Sequence, residues 1–252
     1  MSIRKHKLQN LINGSLEAYY WLGFLLADGH FSKTNRLVVA LQQSDRNHLE
    51  KMKTFLGVGE VTIRESKLNP PVAQYSVMDV GTLRFLKERF AIVSNKTISP
   101  PNLISLTPEE LFAVSIGFID GDGAIQFQTG RTDAQLAVKC HAAWKNTLEY
   151  IFKVPVRINS AGYAYFCITD NTKLREIKNK AIQLNLPIMD RKWSKIDLNR
   201  ESRMVIAQRR RSEVRTLYSQ GLTLLEISTH LDLKYTTVWQ LLNRKDKLCK
   251  KA

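Results

Sequence analysis

The chain has 252 residues, 44% of them hydrophobic and 24% charged, a composition that excludes wholesale disorder and implies a packed fold. Its 38 Lys and Arg against 23 Asp and Glu give a formal charge of +15, which favours a polyanionic partner over an acidic small molecule. The most apolar run, Leu16 to Ala27, is shorter than the roughly 20 residues of a membrane-spanning helix and carries Glu17, with Asp28 directly after it, so no membrane association is expected. Met1 to Gln9 is basic, but no apolar stretch with a small-residue cleavage site follows, and the reading is intracellular. Cys140, Cys167 and Cys249 are odd in number and lack CxxC spacing, so they read as bystanders.

In chain order, Ser15 with Glu17 opens a first helix that runs through Trp21-Leu22-Gly23-Phe24-Leu25-Leu26-Ala27 and stops at Asp28-Gly29. Leu37, Val39 and Leu41 then alternate with more polar neighbours as a hairpin strand does. Helical spacing returns at Leu49, Met52 and Leu56, a strand is predicted from Val72 to Val77, and a third helix passes through Leu83 and Leu86. Ser99-Pro100-Pro101-Asn102 marks a joint, because adjacent prolines continue neither helix nor sheet.

The pattern then repeats. Thr107-Pro108-Glu109-Glu110 is an N-cap, an N1 proline and a capping-box Glu. It opens a helix through Ser115-Ile116-Gly117-Phe118-Ile119-Asp120-Gly121-Asp122-Gly123, in register with the first at an offset of 94. Leu136, Val138 and Cys140 alternate beyond a turn at Gly130 to Asp133. Leu148, Ile151 and Phe152 are helically spaced, and Tyr163 to Ile168 precedes a last helix. The order is α-β-β-α-β-β-α, twice, in halves spanning 1–98 and 99–196.

Gly23 and Gly117 sit one and a half turns before Asp28 and Asp122, so the two helices can pack with close backbones. That packing would set two carboxylates side by side at the negative ends of helix dipoles, where they repel each other and need positive charge nearby. A pair of divalent cations fits, oxygen ligands suiting Mg²⁺ and phosphate oxygens completing the shell.

On these residues the chain resembles the LAGLIDADG homing endonucleases in their single-chain, two-motif form, over roughly Ser15 to Lys195. The resemblance implies an α+β pseudo-twofold fold, two antiparallel sheets forming a saddle on double-stranded DNA, and a monomer that cuts across the minor groove. It makes Asp28 and Asp122 the catalytic metal ligands, with the carbonyls of Ala27 and Gly121 as additional ones, for roughly two or three Mg²⁺ ions shared at the pseudo-dyad. Lys96 and Lys192, matched at an offset of 96, stand where family members place a lysine near the scissile phosphates. Asp45 and Trp144 stand where water-organising polar residues occur, and their mismatch leaves that role unassigned. The first motif departs from the pattern in having Leu26 where the second has Asp120, which is not the catalytic position. On the strands and turns, Lys33, Arg36, Gln42, Gln126, Gln128, Arg131 and Lys139 are the candidates for contacting DNA.

From Arg191 onward, 15 Lys and Arg stand against 6 Asp and Glu. Residues 197–211, ending in Arg209-Arg210-Arg211, read as a basic linker. Residues 212–252 resemble the helix-turn-helix of resolvase and invertase tails, with a core of Leu225, Ile227, Leu231, Leu233, Val238 and Leu242. Tyr235, Thr236, Thr237, Gln240 and Arg244 would face the major groove. The rival reading is an intron RNA maturase or a DNA-binding regulator that kept the scaffold and does not cut. Retention of both acids argues against it.

Overall fold

The computed structural model describes residues 8–65, 70–127, 134–198 and 203–243, and the chain divides into two compact units, Met1–Leu198 and Asn199–Ala252. The first half of unit one comprises α1 (Leu16–Asp28), β1 (Gly29–Phe31), β2 (Arg36–Gln42), α2 (Arg46–Leu56), β3 (Glu60–Arg64), β4 (Val72–Met78) and α3 (Val80–Phe90). The second half follows with α4 (Pro108–Asp122), β5 (Gly123–Phe127), β6 (Ala134–His141), α5 (Lys145–Phe152), β7 (Arg157–Ile158), β8 (Tyr163–Ile168), α6 (Asn171–Gln183) and the short α7 (Asp190–Trp193). The duplicated αββαββα order is present; α7 had no counterpart among the expected elements.

Local chemistry explains the helix ends. The Ser15 side chain accepts from the Ala18 amide, and Thr107 and Glu110 form the reciprocal capping box, so a side chain satisfies one first-turn amide of α1 and one of α4. Asp79 and Asp170 cap α3 and α6 in the same way. α2 ends where Gly57 turns left-handed at φ +69.

Each half contributes one four-stranded antiparallel sheet, ordered β1-β2-β4-β3 and β5-β6-β8-β7. Alternate residues make the two faces differ. Leu37, Val39, Ala73, Tyr75 and Val77 of one sheet, and Leu136, Val138, Ala164, Phe166 and Ile168 of the other, are buried in a single core that both halves share. α1 and α4 lie at the centre of that core. Every residue from Ala18 to Leu26 is buried, as is the matching stretch of α4 from Ala113 to Asp120, which is why neither helix shows an amphipathic stripe.

Unit two holds α8 (Arg203–Ser219), α9 (Leu224–His230) and α10 (Tyr235–Asn243) around Val214, Ile227 and Val238, with Leu231, Leu233 and Leu242 packed beside them. Two expectations need correction. Most of the described part of the predicted linker is the first half of α8: it contains no Gly or Pro, arginine is a good helix former, and Val214 anchors the same helix in the core. Leu225 is 67% exposed and lies outside the core, because the Thr223 capping box fixes the helix phase so that Leu224 turns inward instead. Among the described residues, no helix is long and apolar enough to cross a membrane.

Candidate active site between the paired helices

The two motif helices meet along their glycines. A β-carbon on Gly23 would overlap the carbonyl of Val114, and one on Gly117 would overlap the carbonyl of Tyr20. Tyr20 and Val114 are themselves one repeat apart, so the contact is pseudo-symmetric about a point between the helices. Further along, a β-carbon on Gly121 would meet the side chain of Ala27. Glycine therefore permits a backbone-to-backbone approach right up to the ends that carry Asp28 and Asp122.

Asp28 is half-buried, and Asp122 is more open to solvent. Desolvation, then repulsion from Asp122, pushes the Asp28 carboxyl up to about 6, while Lys192 and Lys96 pull it down. Asp122 is raised as well, again by desolvation first and against the pull of the same two lysines. The two acids and two lysines thus form one electrostatic cluster.

Each lysine caps its own half's motif helix. Lys96 Nζ donates to the carbonyls of Leu26 (2.5 Å) and Ala27 (2.6 Å). Lys192, 8% exposed, donates from Nζ to the carbonyls of Ile119 (3.0 Å), Asp120 (2.6 Å), Gly121 (2.8 Å) and Gly123 (2.7 Å). An ammonium at a helix C-terminus satisfies orphan carbonyls and complements the dipole. Part of the positive charge that the carboxylates need is therefore supplied by protein. The carbonyls of Ala27 and Gly121 already accept from lysine, each oxygen retaining a second lone pair.

Asp120 is buried among donors: Trp193 Nε1 (2.7 Å), the Met189 amide (2.9 Å) and Tyr20 Oη (2.6 Å). Because Tyr20 gives its proton to Asp120, it accepts from His48 Nε2 (3.0 Å), and burial holds His48 neutral with a pKa lowered to about 3. Burial raises Asp120 to about 6 against those hydrogen bonds. Leu26, its counterpart, is an ordinary core residue. Asp45 receives a bidentate pair from Arg191 (2.6 and 2.7 Å), and Trp144 Nε1 donates to the carbonyls of Lys96 (3.0 Å) and Thr97 (3.1 Å).

No protein-family model and no curated protein sequence matches the chain. Solved structures do. A point mutant of the meganuclease I-SmaMI aligns at TM-score 0.50 and 15% identity, over 70% of this chain and 89% of that one. The chain has the LAGLIDADG meganuclease fold. The LAGLIDADG meganuclease I-AabMI bound to uncleaved DNA aligns at TM-score 0.47 and 15% identity (71% and 87% covered). I-SmaMI bound to an uncleaved DNA target with calcium ions aligns at 0.46 and 12% (90% and 99%).

In this LAGLIDADG fold, Arg36, Gln126 and Lys139 project from the faces of the sheets turned away from the core, and Gln42 lies exposed at the end of β2. Lys33 is exposed in the turn before β2. The registers add residues that sequence reasoning passed over. Ser76 and Gln74 sit opposite Val38 and Ala40, with Ser76 accepting from Arg36 Nε at 2.8 Å, while Tyr165 and Tyr163 sit opposite Lys139 and His141. Polar Ser76 in a largely apolar strand was the available signal, whereas Gln74 is buried. Lys139 lies 4.2 Å over the Tyr163 ring. Gln128, Arg131 and Arg244 lie outside the described residues. In unit two, Tyr235, Thr236 and Gln240 are exposed on α10 with Thr237 partly covered, and Arg209 and Arg210 are exposed on α8 with Arg211 partly covered. Cys140 and Cys167 are free thiols whose acidity burial suppresses, and Cys249 lies outside the described residues.

Proposed function

We propose that the protein is a homing endonuclease: a monomer that hydrolyses both strands of double-stranded DNA at a long asymmetric site, across the minor groove, with divalent metal. The observation that carries this reading is the pair of acids at the ends of glycine-packed helices, flanked by two lysines in one electrostatic cluster. Two mutually repelling carboxylates on a rigid support are unfavourable for folding and are retained where charge is to be bound.

The donor set fits Mg²⁺. Asp28 and Asp122, with the second lone pairs of the Ala27 and Gly121 carbonyls, offer only hard oxygen ligands. Among the described residues no group of three or more His, Cys, Asp or Glu accompanies them, so phosphate and water oxygens are left to complete the coordination. Bound there, divalent ions would supply an activated water and a Lewis acid for the phosphorus centre. The chain's own part is to hold one acid beside each strand and to set Lys96 and Lys192 where negative charge develops on the phosphate. Arg36, Gln42, Gln126 and Lys139 would contact base edges, with Lys33 and the open-face residues Ser76 and Tyr165 adding to the surface.

Unit two we read as a helix-turn-helix with α10 as the reading helix, presenting Tyr235, Thr236, Thr237 and Gln240, while Arg209, Arg210 and Arg211 of α8 bind phosphates. Incubating the chain with randomised duplex DNA and Mg²⁺, then sequencing the ends, tests the function. Paired breaks at a recurrent site support it. Metal-independent binding to structured intron RNA without cutting would instead identify a maturase.

A further inference from the structure

The positions left unassigned by sequence, Asp45 and Trp144, each make a hydrogen-bonded tie to the opposite half. They are 99 residues apart, the same offset that relates Asn47 to Asn146 in the duplicated halves. Each follows the second strand of its half, and each reaches across to the opposite half. Asp45, 7% exposed, takes the guanidinium of Arg191 through both oxygens, and Arg191 is the immediate neighbour of Lys192. Trp144, buried, aims its indole N–H at the backbone carbonyls of Lys96 and Thr97.

We propose that Asp45 and Trp144 are cross-half positioning residues: Asp45 fixes Lys192 by way of Arg191, and Trp144 fixes Lys96 by way of its own carbonyl. Each half thereby anchors the cation that caps the other half's motif helix. The need for anchors is physical. α7 is four residues long, too short to hold its shape alone, and the chain between α3 and α4 that carries Lys96 contains no regular helix or strand. A lysine Nζ that must meet two to four carbonyls at hydrogen-bond distance therefore depends on tertiary ties. Lys51 adds to the grip on α7 from the first half, donating to Asp190 Oδ2 (3.0 Å) and to the Ile188 carbonyl (3.1 Å).

The importance of these lysines rests on the nuclease reading, but the anchoring can be tested without DNA. The full chain and its Asp45→Asn and Trp144→Phe variants are exposed to trace acetic anhydride, and the acetylation rate of each lysine is read by mass spectrometry. Asp45→Asn should raise labelling of Lys192 by about tenfold or more and leave Lys96 unchanged, since loss of a charged hydrogen bond favours local opening. Trp144→Phe should do the reverse. Asp45→Glu, which keeps a carboxylate for Arg191, should restore protection of Lys192. Arg191→Gln, altered at a half-exposed side chain, should expose Lys192 as Asp45→Asn does, and serves if the latter fails to fold. Unchanged labelling of Lys192 in both Asp45→Asn and Arg191→Gln, or a joint rise of both lysines in any one folded variant, overturns the proposal.

Discussion

Gly117 lies so close to the carbonyl of Tyr20 that no β-carbon fits between them, and Gly23 meets Val114 in the same way one repeat apart. Because the obstacle is backbone at the centre of the shared core, a neighbouring side chain cannot simply swing aside. Gly23→Ala and Gly117→Ala should each cost about 3 kcal/mol or more of stability, read by urea denaturation. A loss below about 1 kcal/mol would mean that the helices can separate at no great cost, and that the acids are not held by this contact.

Asp28 should show itself by opposite effects on stability and activity. Its pKa is raised from 3.8 unfolded to about 6 folded, so the folded state binds the proton more tightly. The stability it contributes is present below pH 4 and is lost as pH rises through about 6. Asp28→Asn should remove that slope and stabilise the chain at pH 7 by on the order of 2 kcal/mol. The same variant, and Asp122→Asn, should slow DNA cleavage by roughly 100-fold or more. Denaturation at pH 4.5 and 7 beside a cleavage time course checks both.

Much of this architecture was legible before any coordinates. Repeat register paired Asp28 with Asp122, the glycine spacing foretold the close helices, and the capping residues at Ser15 and Thr107 marked where they begin. What stayed hidden involves contacts between distant residues. Asp45 and Arg191 are 146 positions apart, and nothing local in either announces the other. Asp120 looked like a motif variant, and its role appears only once Tyr20, Met189 and Trp193 converge on it. α7 spans too few residues to show a period, and the arginine-rich run before Ser212 was read by charge when its helix-forming content governs.

Chelation should separate fold from function. Since Lys96 and Lys192 already occupy the helix-end carbonyls, the chain does not depend on metal to hold its ends together. EDTA should abolish cleavage while changing unfolding free energy by less than about 1 kcal/mol. Unfolding on chelation would show that the cations are structural.

The tail divides into two kinds of contact with different salt signatures. Arg209→Ala and Arg210→Ala should weaken binding to all sequences alike and each lower the slope of log affinity against log salt by about 1. Gln240→Ala should instead cost about 1–3 kcal/mol on the preferred site and relax its sequence preference. Fluorescence anisotropy across salt concentrations on matched and scrambled duplexes distinguishes them.

Manganese anomalous diffraction from crystals of the chain with its selected DNA target addresses the core of the account most directly. Anomalous peaks within bonding distance of both the Asp28 and the Asp122 carboxylates, beside the scissile phosphates, are the expected result. Peaks absent from both acids, in crystals whose DNA crosses the two sheets, would contradict it.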